Sequence, residues 1–315
     1  MIWLFKDANY PFLAWRRYAY VVSLLLTVVP IASIVLHGGL RYSIDFTGGT
    51  LVQIEFDTPV ETEVLRAVLG GTPELESFEV QRFGEPQDVV VRAQVPEGEE
   101  ELFGQRIEEQ LRSAPELAGH QFSIVRTEAV GPKIGEELKQ QAIMAVLYAM
   151  VLILIYVAIR FDLKFGVAAI VATIHDVVVS VGVFSLLNKE ISLAVVAAFL
   201  TIVGYSLNDT IVVFDRIRED LRSMRKESYE DVVNKAINQT LSRTIITGGT
   251  TLIVLTFLFF MGGEVIHDFA FALIVGILIG TYSSIFIASP VVVEWKKRIE
   301  DRKKAGPAPK ARSRA

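Results

Sequence analysis

The sequence predicts an α-helical membrane protein in which six transmembrane helices carry one α+β domain, inserted after the first helix. Three observations point there. Six apolar runs, roughly 18–36, 142–159, 165–187, 191–214, 245–262 and 268–293, approach or exceed the ~20 residues that cross a bilayer. Between the first two lies a charged stretch, roughly 38–138, whose pattern is that of a folded domain rather than of a membrane span. With 51% hydrophobic residues and a mean hydropathy of +0.42, the chain is too apolar for an ordinary soluble domain and too charged to lie wholly in lipid. The expected divisions are an N-terminus and first helix over 1–37, the inserted domain over 38–138, helices two to six over 139–295 with a cytoplasmic amphipathic loop at 215–243, and a basic, disordered tail over 296–315.

Orientation follows from lysine and arginine in the short connections. Lys6, Arg16 and Arg17 precede the first run, and Arg160 and Lys164 separate the second from the third. Seven Lys/Arg lie between Phe214 and Thr244, and nine follow the last run. The opposite side offers only Lys189, so both termini are expected to be cytoplasmic and the inserted domain outside. About 19 apolar residues is long for the core of a signal peptide, and no small-residue cleavage pattern precedes Leu36-His37-Gly38-Gly39, so the first run is expected to remain as an anchor. Trp3, Tyr10, Phe12, Trp15 and Tyr18 suit an interfacial aromatic belt, and Pro30 a kink in the first helix. There are no cysteines, which excludes disulfides and thiol chemistry.

The inserted domain follows a legible order. Leu51–Phe56 alternates as a strand, and Val60–Leu69 has helical spacing with Val64, Leu65, Val68 and Leu69 on one side. Phe78–Phe83 and Val89–Gln94 are short strands joined by the hairpin Gly84-Glu85-Pro86-Gln87. Glu99–Leu111 is a helix with Leu102, Phe103, Ile107 and Leu111 inward, and Phe122–Val130 closes the series. The β-α-β-β-α-β order is the ferredoxin-like arrangement. Between Arg41 and Val130 the net charge is −11, a solvated face or a surface for basic or unfolded polypeptide. At its borders stand Asp45-Phe46-Thr47-Gly48-Gly49-Thr50 and Gly131-Pro132. Asp45, Gly48 and Gly49 read as structural, because no GxxxxGK[ST] phosphate loop occurs anywhere in the chain. Gly131, Pro132 and Gly135 read as a hinge-like joint whose proline starts the next helix, with Glu136 and Glu137 in its first turn.

The chemistry sits in the membrane runs. Within Ala194–Glu219, Thr201, Tyr205, Asn208 and Asp209 share one helical face. An Asp at a helix centre costs about 2.5–3.5 kcal/mol to insert, so Asp209 is expected to face protein or a wet cavity and to do something there. Asp176 is a second such acid beside His175, with Thr173 and Ser180 on the same side. Asp209 reads as a proton carrier or as a structural hydrogen-bonding group, and Asp176 as either a relay or a packing contact. Arg243, at the end of the fifth run and in line with Thr247, Thr250 and Thr251, reads as a side chain snorkelling to headgroups, which hydropathy alone favours slightly, or as a functional cation. Gly276 and Gly280, followed by Ser283 and Ser284, have the spacing that lets helices approach closely. Asp215–Lys235 suits an amphipathic helix on the cytoplasmic surface, meeting lipid or protein. No nucleotide, metal, cofactor or nucleic-acid motif is present, which leaves a partner or an ion gradient as the source of work. A proton crossing 100 mV releases about 2.3 kcal/mol. An acid held from water and approached in turn by an arginine can take up and release a proton, and the joint at Gly131 could pass the movement outward.

Several separate motifs then resemble one family. Gly204-Tyr205-Ser206-Leu207-Asn208-Asp209-Thr210, followed by Val213-Phe214-Asp215-Arg216-Ile217-Arg218-Glu219, is similar to the SecF family of protein-export membrane subunits. Asp45–Thr50, Val130-Gly131-Pro132, His175-Asp176 and Ser242-Arg243-Thr244 fit it as well, and the likeness covers about residues 1–300. The resemblance implies the resistance–nodulation–division superfamily, a multi-pass place in the bacterial cytoplasmic (inner) membrane, and partnership with SecD and the SecYEG channel. It implies use of the proton motive force to promote preprotein translocation and release, with no enzymatic activity and no cofactor. The family's transmembrane Asp and the Arg of the next span map onto Asp209 and Arg243. Two other readings stay open: half of a proton-driven small-molecule exporter, and an assembly subunit without a proton path of its own.

Overall fold

The computed structural model describes residues 8–70, 78–93, 95, 99–224 and 226–304. Trp3, Lys6, Gln94, Arg225 and the tail beyond Lys304 lie outside them. In chain order the elements are α1 (Arg16–Leu36), α2 (Ile44–Thr47), β1 (Gly49–Phe56), α3 (Thr62–Leu69), β2 (Phe78–Arg82), β3 (Asp88–Ala93), α4 (Glu100–Ser113) and β4 (Phe122–Val130). Then come α5 (Pro132–Arg160), α6 (Leu163–Leu186), α7 (Leu193–Ser223), α8 (Tyr229–Met261), α9 (Gly263–Ser283) and α10 (Ser289–Lys304). A π-helical turn over Ser284–Ala288 joins the last two, so a single path from Ile266 to Arg302 is long and apolar enough to cross a membrane. With α1, α5, α6, α7 and α8 this makes six such helices among the described residues.

The chain divides into two compact units. One holds Arg41–Ala145 together with Glu190–Val196. Its sheet is antiparallel throughout, in the order β2-β3-β1-β4, which is the ferredoxin-like topology. Val52, Ile54 and Phe56 of β1 meet Leu65 and Leu69 of α3 and Phe103, Ile107 and Leu111 of α4 in one core. Burying each such side chain contributes about 1.5–3 kcal/mol. Leu51 points the other way, against Ile44 and Val90, so the central strand is covered on both faces. The hairpin closes with Phe83 N–H donating to Asp88 O at 2.9 Å and Gly84 at φ +72°. Leu102, expected inward, is exposed. It lies one residue, about 100° of helical turn, from the Phe103–Ile107–Leu111 stripe that meets the sheet.

The joint after β4 is shorter than its composition suggests. Only Gly131 separates β4 from α5, which begins at Pro132, so the acidic pair falls in the second turn. Gly135 is a packing position inside the helix: a Cβ there would come within 2.9 Å of Gly48 N and 3.1 Å of Phe46 O.

The other unit holds Met1–Leu40, Val146–Lys189 and Ala197–Ala315. Pro30 of α1 lies on Gly182 of α6, where any Cβ would overlap the proline ring. In the same way Gly276 and Gly280 admit Ile202 and Ser206 of α7, which accounts for the small-residue spacing on α9. Residues 215–235 are not a separate surface helix. They are the end of α7 and the start of α8, and Phe214, Ile217, Val233 and Ile237 are buried in one cluster with Phe161, Phe165 and Val292. The apolar stripe of this amphipathic stretch therefore meets protein. Ser228 caps α8, accepting from Asp231 N–H at 3.1 Å. Of the expected aromatic belt, Tyr10, Trp15 and Tyr18 are exposed while Phe12 is buried in that cluster. Phe12 is drawn in because Asn234 and Asn238 of α8 both donate to Tyr10 O, at 3.0 and 2.9 Å. The expected tail also begins as helix, since α10 continues to Lys304.

Replacing Gly276 by Val should lower the unfolding midpoint of the detergent-purified chain by an amount equivalent to about 1–3 kcal/mol, the usual cost of overpacking. A second change, Ile202→Ala, should recover part of it if the clash is the one described.

Candidate functional site: two acids in the helix bundle

Both membrane acids are buried, and their surroundings are opposite. Asp176 of α6 has 0% exposure and its oxygens are fully engaged. Oδ2 accepts from Ser206 Oγ of α7 at 2.5 Å and from Ser283 Oγ of α9 at 2.7 Å, while Oδ1 lies 3.0 Å from His175 Nδ1. Three helices thus meet on one carboxylate. The close approach of α9 to α7 at Gly280, where a Cβ would stand 3.0 Å from Ser206 Cβ, brings both serines within reach. His175 Nε2 and Ser180 Oγ are buried without hydrogen-bond partners. Thr173, on the same face, turns its hydroxyl back to Ala169 O at 2.9 Å.

Asp209 of α7 has 3% exposure, and its Oδ2 is buried with no hydrogen-bond partner. An unsatisfied carboxylate oxygen away from water is costly and rare in a settled core. Arg243 of α8 is within electrostatic reach of it, but no direct ion pair closes between them. Arg243 itself is exposed on the isolated chain.

The supporting face divides. Tyr205 donates to Thr251 Oγ1 at 3.4 Å, linking α7 to α8. Thr247 bonds to Arg243 O at 2.9 Å, and Thr250 and Thr251 likewise bond within their own helix, so these hydroxyls are spent on the backbone. Asn208 and Thr201 are exposed rather than turned towards Asp209.

At the far end of α7 the border motif does unexpected work. Asp45 Oδ2 accepts from Leu193 N–H, the first amide of α7, at 2.8 Å, while Ser192 Oγ accepts from Val195 N–H at 3.3 Å. Gly48, at φ +70°, has room for no side chain: a Cβ would lie 2.7 Å from Pro132 Cα. Gly49, also at positive φ, begins β1, and Gly131 and Pro132 carry β4 into α5. Neither the Asp45–Leu193 bond nor the Asp176–Ser206–Ser283 junction is visible as a spacing in the sequence, because each joins distant segments.

The description "Protein export membrane protein SecD/SecF, C-terminal" matches residues 110–298, and the SecD/SecF GG motif matches residues 34–60. The chain belongs to the SecD/SecF family of protein-export membrane proteins. It is 46% identical to protein translocase subunit SecF of Desulfurispirillum indicum over 91% of this chain and 92% of that one. It is equally 46% identical to that of Rhodothermus marinus, over 97% and 99%. The crystal structure of SecDF from Thermus thermophilus, a translocon-associated membrane protein, superposes with a TM-score of 0.84 at 42% identity. There the chain covers 95% of its own length and 40% of the larger protein's. A SecF-type chain is a multi-pass membrane protein with an accessory role in Sec protein export, and the GG motif is the segment that includes Asp45, Gly48 and Gly49.

Asp176→Ala should destabilise the purified chain by about 3 kcal/mol, since it strands buried donors on three helices. Asp209→Asn should stay within about 1 kcal/mol of the parent, as it breaks no hydrogen bond of the unpaired Oδ2. Thermal or denaturant unfolding in detergent distinguishes the two.

Proposed function

We propose that this chain works with SecD and the SecYEG channel to convert the proton motive force into forward movement and release of a preprotein, with Asp209 as the proton carrier. The observation that supports this most is the unpaired, buried Oδ2 of Asp209 facing the field of Arg243. Binding a proton there removes a charge from a site that holds no hydrogen bond for it. Arg243 favours losing the proton again, so the pair can cycle. Asp176 is assigned the other role, a fixed junction, because its acceptors are already occupied. The larger SecDF protein, of which this chain matches 40%, supports SecD as the missing half. The exposure of Arg243, Asn208 and Thr201 on the isolated chain is consistent with a polar face that a second membrane half covers.

On this reading the protein is a transport subunit and not an enzyme. It sits in the bacterial cytoplasmic membrane, with both termini inside and the α+β unit over 38–138 outside, in keeping with the Lys/Arg distribution of the connections.

Asp209→Asn in membrane vesicles energised by a proton gradient should reduce gradient-stimulated export to the level without a gradient, while SecD still co-purifies. Undiminished stimulation would remove the proton role. Arg243→Lys should retain part of the stimulation and Arg243→Ala little, a loss of at least about fivefold at the low end of ordinary coupling between sites.

A further inference from the structure

The GG-motif segment is fastened to the first turn of the helix that carries Asp209. Backbone bonds run both ways between it and the α6–α7 connection: Ser43 N–H donates to Ile191 O at 3.0 Å, and Ile191 N–H donates to Arg41 O at 2.8 Å. Tyr42 and Ile191 pair as a parallel bridge. Glu190 adds charge to the joint, 3.2 Å from Arg41 Nε and ion-paired with Arg92 of β3. Asp45 completes it by accepting the Leu193 amide at 2.8 Å. That amide is one of the four at a helix start with no partner inside the helix, and a carboxylate there also meets the favourable end of the helix dipole. The residues just beyond Asp45 are pressed against the start of α5, where Gly48 and Gly135 leave no room for a Cβ. As a result Glu190–Val196 clusters with the sheet and not with the remainder of α7.

We propose that Asp45 is a positioning residue that couples the α+β unit to Asp209, by holding the first turn of α7 to the strand that enters the sheet. The distance along α7 from Leu193 to Asp209 is about 24 Å at 1.5 Å per residue. A change of charge at Asp209 that shifts this helix is delivered to β1 through this joint, in which the Asp45–Leu193 bond is the contact made to the helix itself and the Ile191 and Glu190 contacts hold the segment just before it. The inference rests on Asp209 as the proton carrier, since the movement passed on begins there.

The test uses the full chain in its complex, with Asp45→Ala, Asp45→Asn and Glu190→Ala. Three quantities are measured: amide hydrogen exchange over 193–196, gradient-stimulated export, and carbodiimide labelling of Asp209 against pH. Asp45→Ala should speed exchange of the first turn about tenfold, the effect of losing a helix cap. Export should fall at least about fivefold with Asp209 labelling unchanged, which marks loss of coupling rather than loss of the proton site. Asp45→Asn should stay near the parent in all three, because its Oδ1 accepts the same amide. Glu190→Ala, which releases Arg41 and Arg92, should move exchange and export in the same direction and covers the case in which Asp45→Ala does not accumulate. Faster exchange with parental export in either alanine variant overturns the proposal, as does an Asn variant as impaired as Ala. A failure of the proton reading appears elsewhere, as parental export in Asp209→Asn, and leaves the exchange result unaffected.

Discussion

Inside a bilayer no water is available to a polar group, so each one must find its partner in the chain or bear the cost of having none. That constraint organises the helical unit. Threonines along α8 return their hydroxyls to their own backbone, Asn234 and Asn238 hold the backbone of the N-terminal strap, and Asp176 collects two serines and a histidine. The packing serves these bonds. Glycine at 276 and 280 lets α9 come near enough to α7 for Ser206 and Ser283 to reach the same oxygen. Against that background the unpaired oxygen of Asp209 is one of a few buried exceptions, with His175 Nε2 and Ser180 Oγ among the others, and exceptions of this kind are where function is sought.

The α+β unit answers a different problem, which is how a small sheet is made rigid. β1 is central and buried on both faces, with α3 and α4 on one side and the short α2 on the other. Because α2 belongs to the GG motif, the segment that covers the second face also carries Asp45. The strand and the helix cap are therefore consecutive in the chain, with only Phe46, Thr47 and Gly48 between Asp45 and the start of β1.

Much of this was legible beforehand, for reasons that differ by element. Alternation with period two and helical spacing mark β1, α3 and β4 because each has one strongly apolar side, and the same order leads to the ferredoxin-like sheet. Leu102 departs from expectation because a hydrophobic residue at a stripe's edge looks the same in sequence whether or not a neighbour covers it. The 215–235 stretch suits the membrane surface in sequence for a related reason: an amphipathic pattern says that one side is buried, not against what. The acids were identifiable from cost alone, and the family motifs singled out Asp209 and Arg243. What set Asp176 apart from Asp209 was their hydrogen bonding, and this depends on residues 30 and 107 positions away from Asp176. No local pattern carries that information.

The geometry of α7 ties these strands together. The helix is held at its first turn by Asp45, near its middle by Ser206 on Asp176, and towards its end by Phe214 and Ile217 in the aromatic cluster. Asp209 lies three residues past Ser206, between the second hold and the third. A helix fixed at three heights cannot slide as a free rod, so on the proposed reading a change of charge at Asp209 acts as a load on the segments between the holds. The uppermost hold on the helix itself is a single hydrogen bond to a side chain of the GG motif, the middle one is likewise a single bond, from Ser206 to Asp176, and the third is a packed cluster. Of the two single bonds, the one made by Asp45 is the one whose other end enters the sheet. On the proposed reading, a load generated at the acid reaches the sheet through the Asp45 bond.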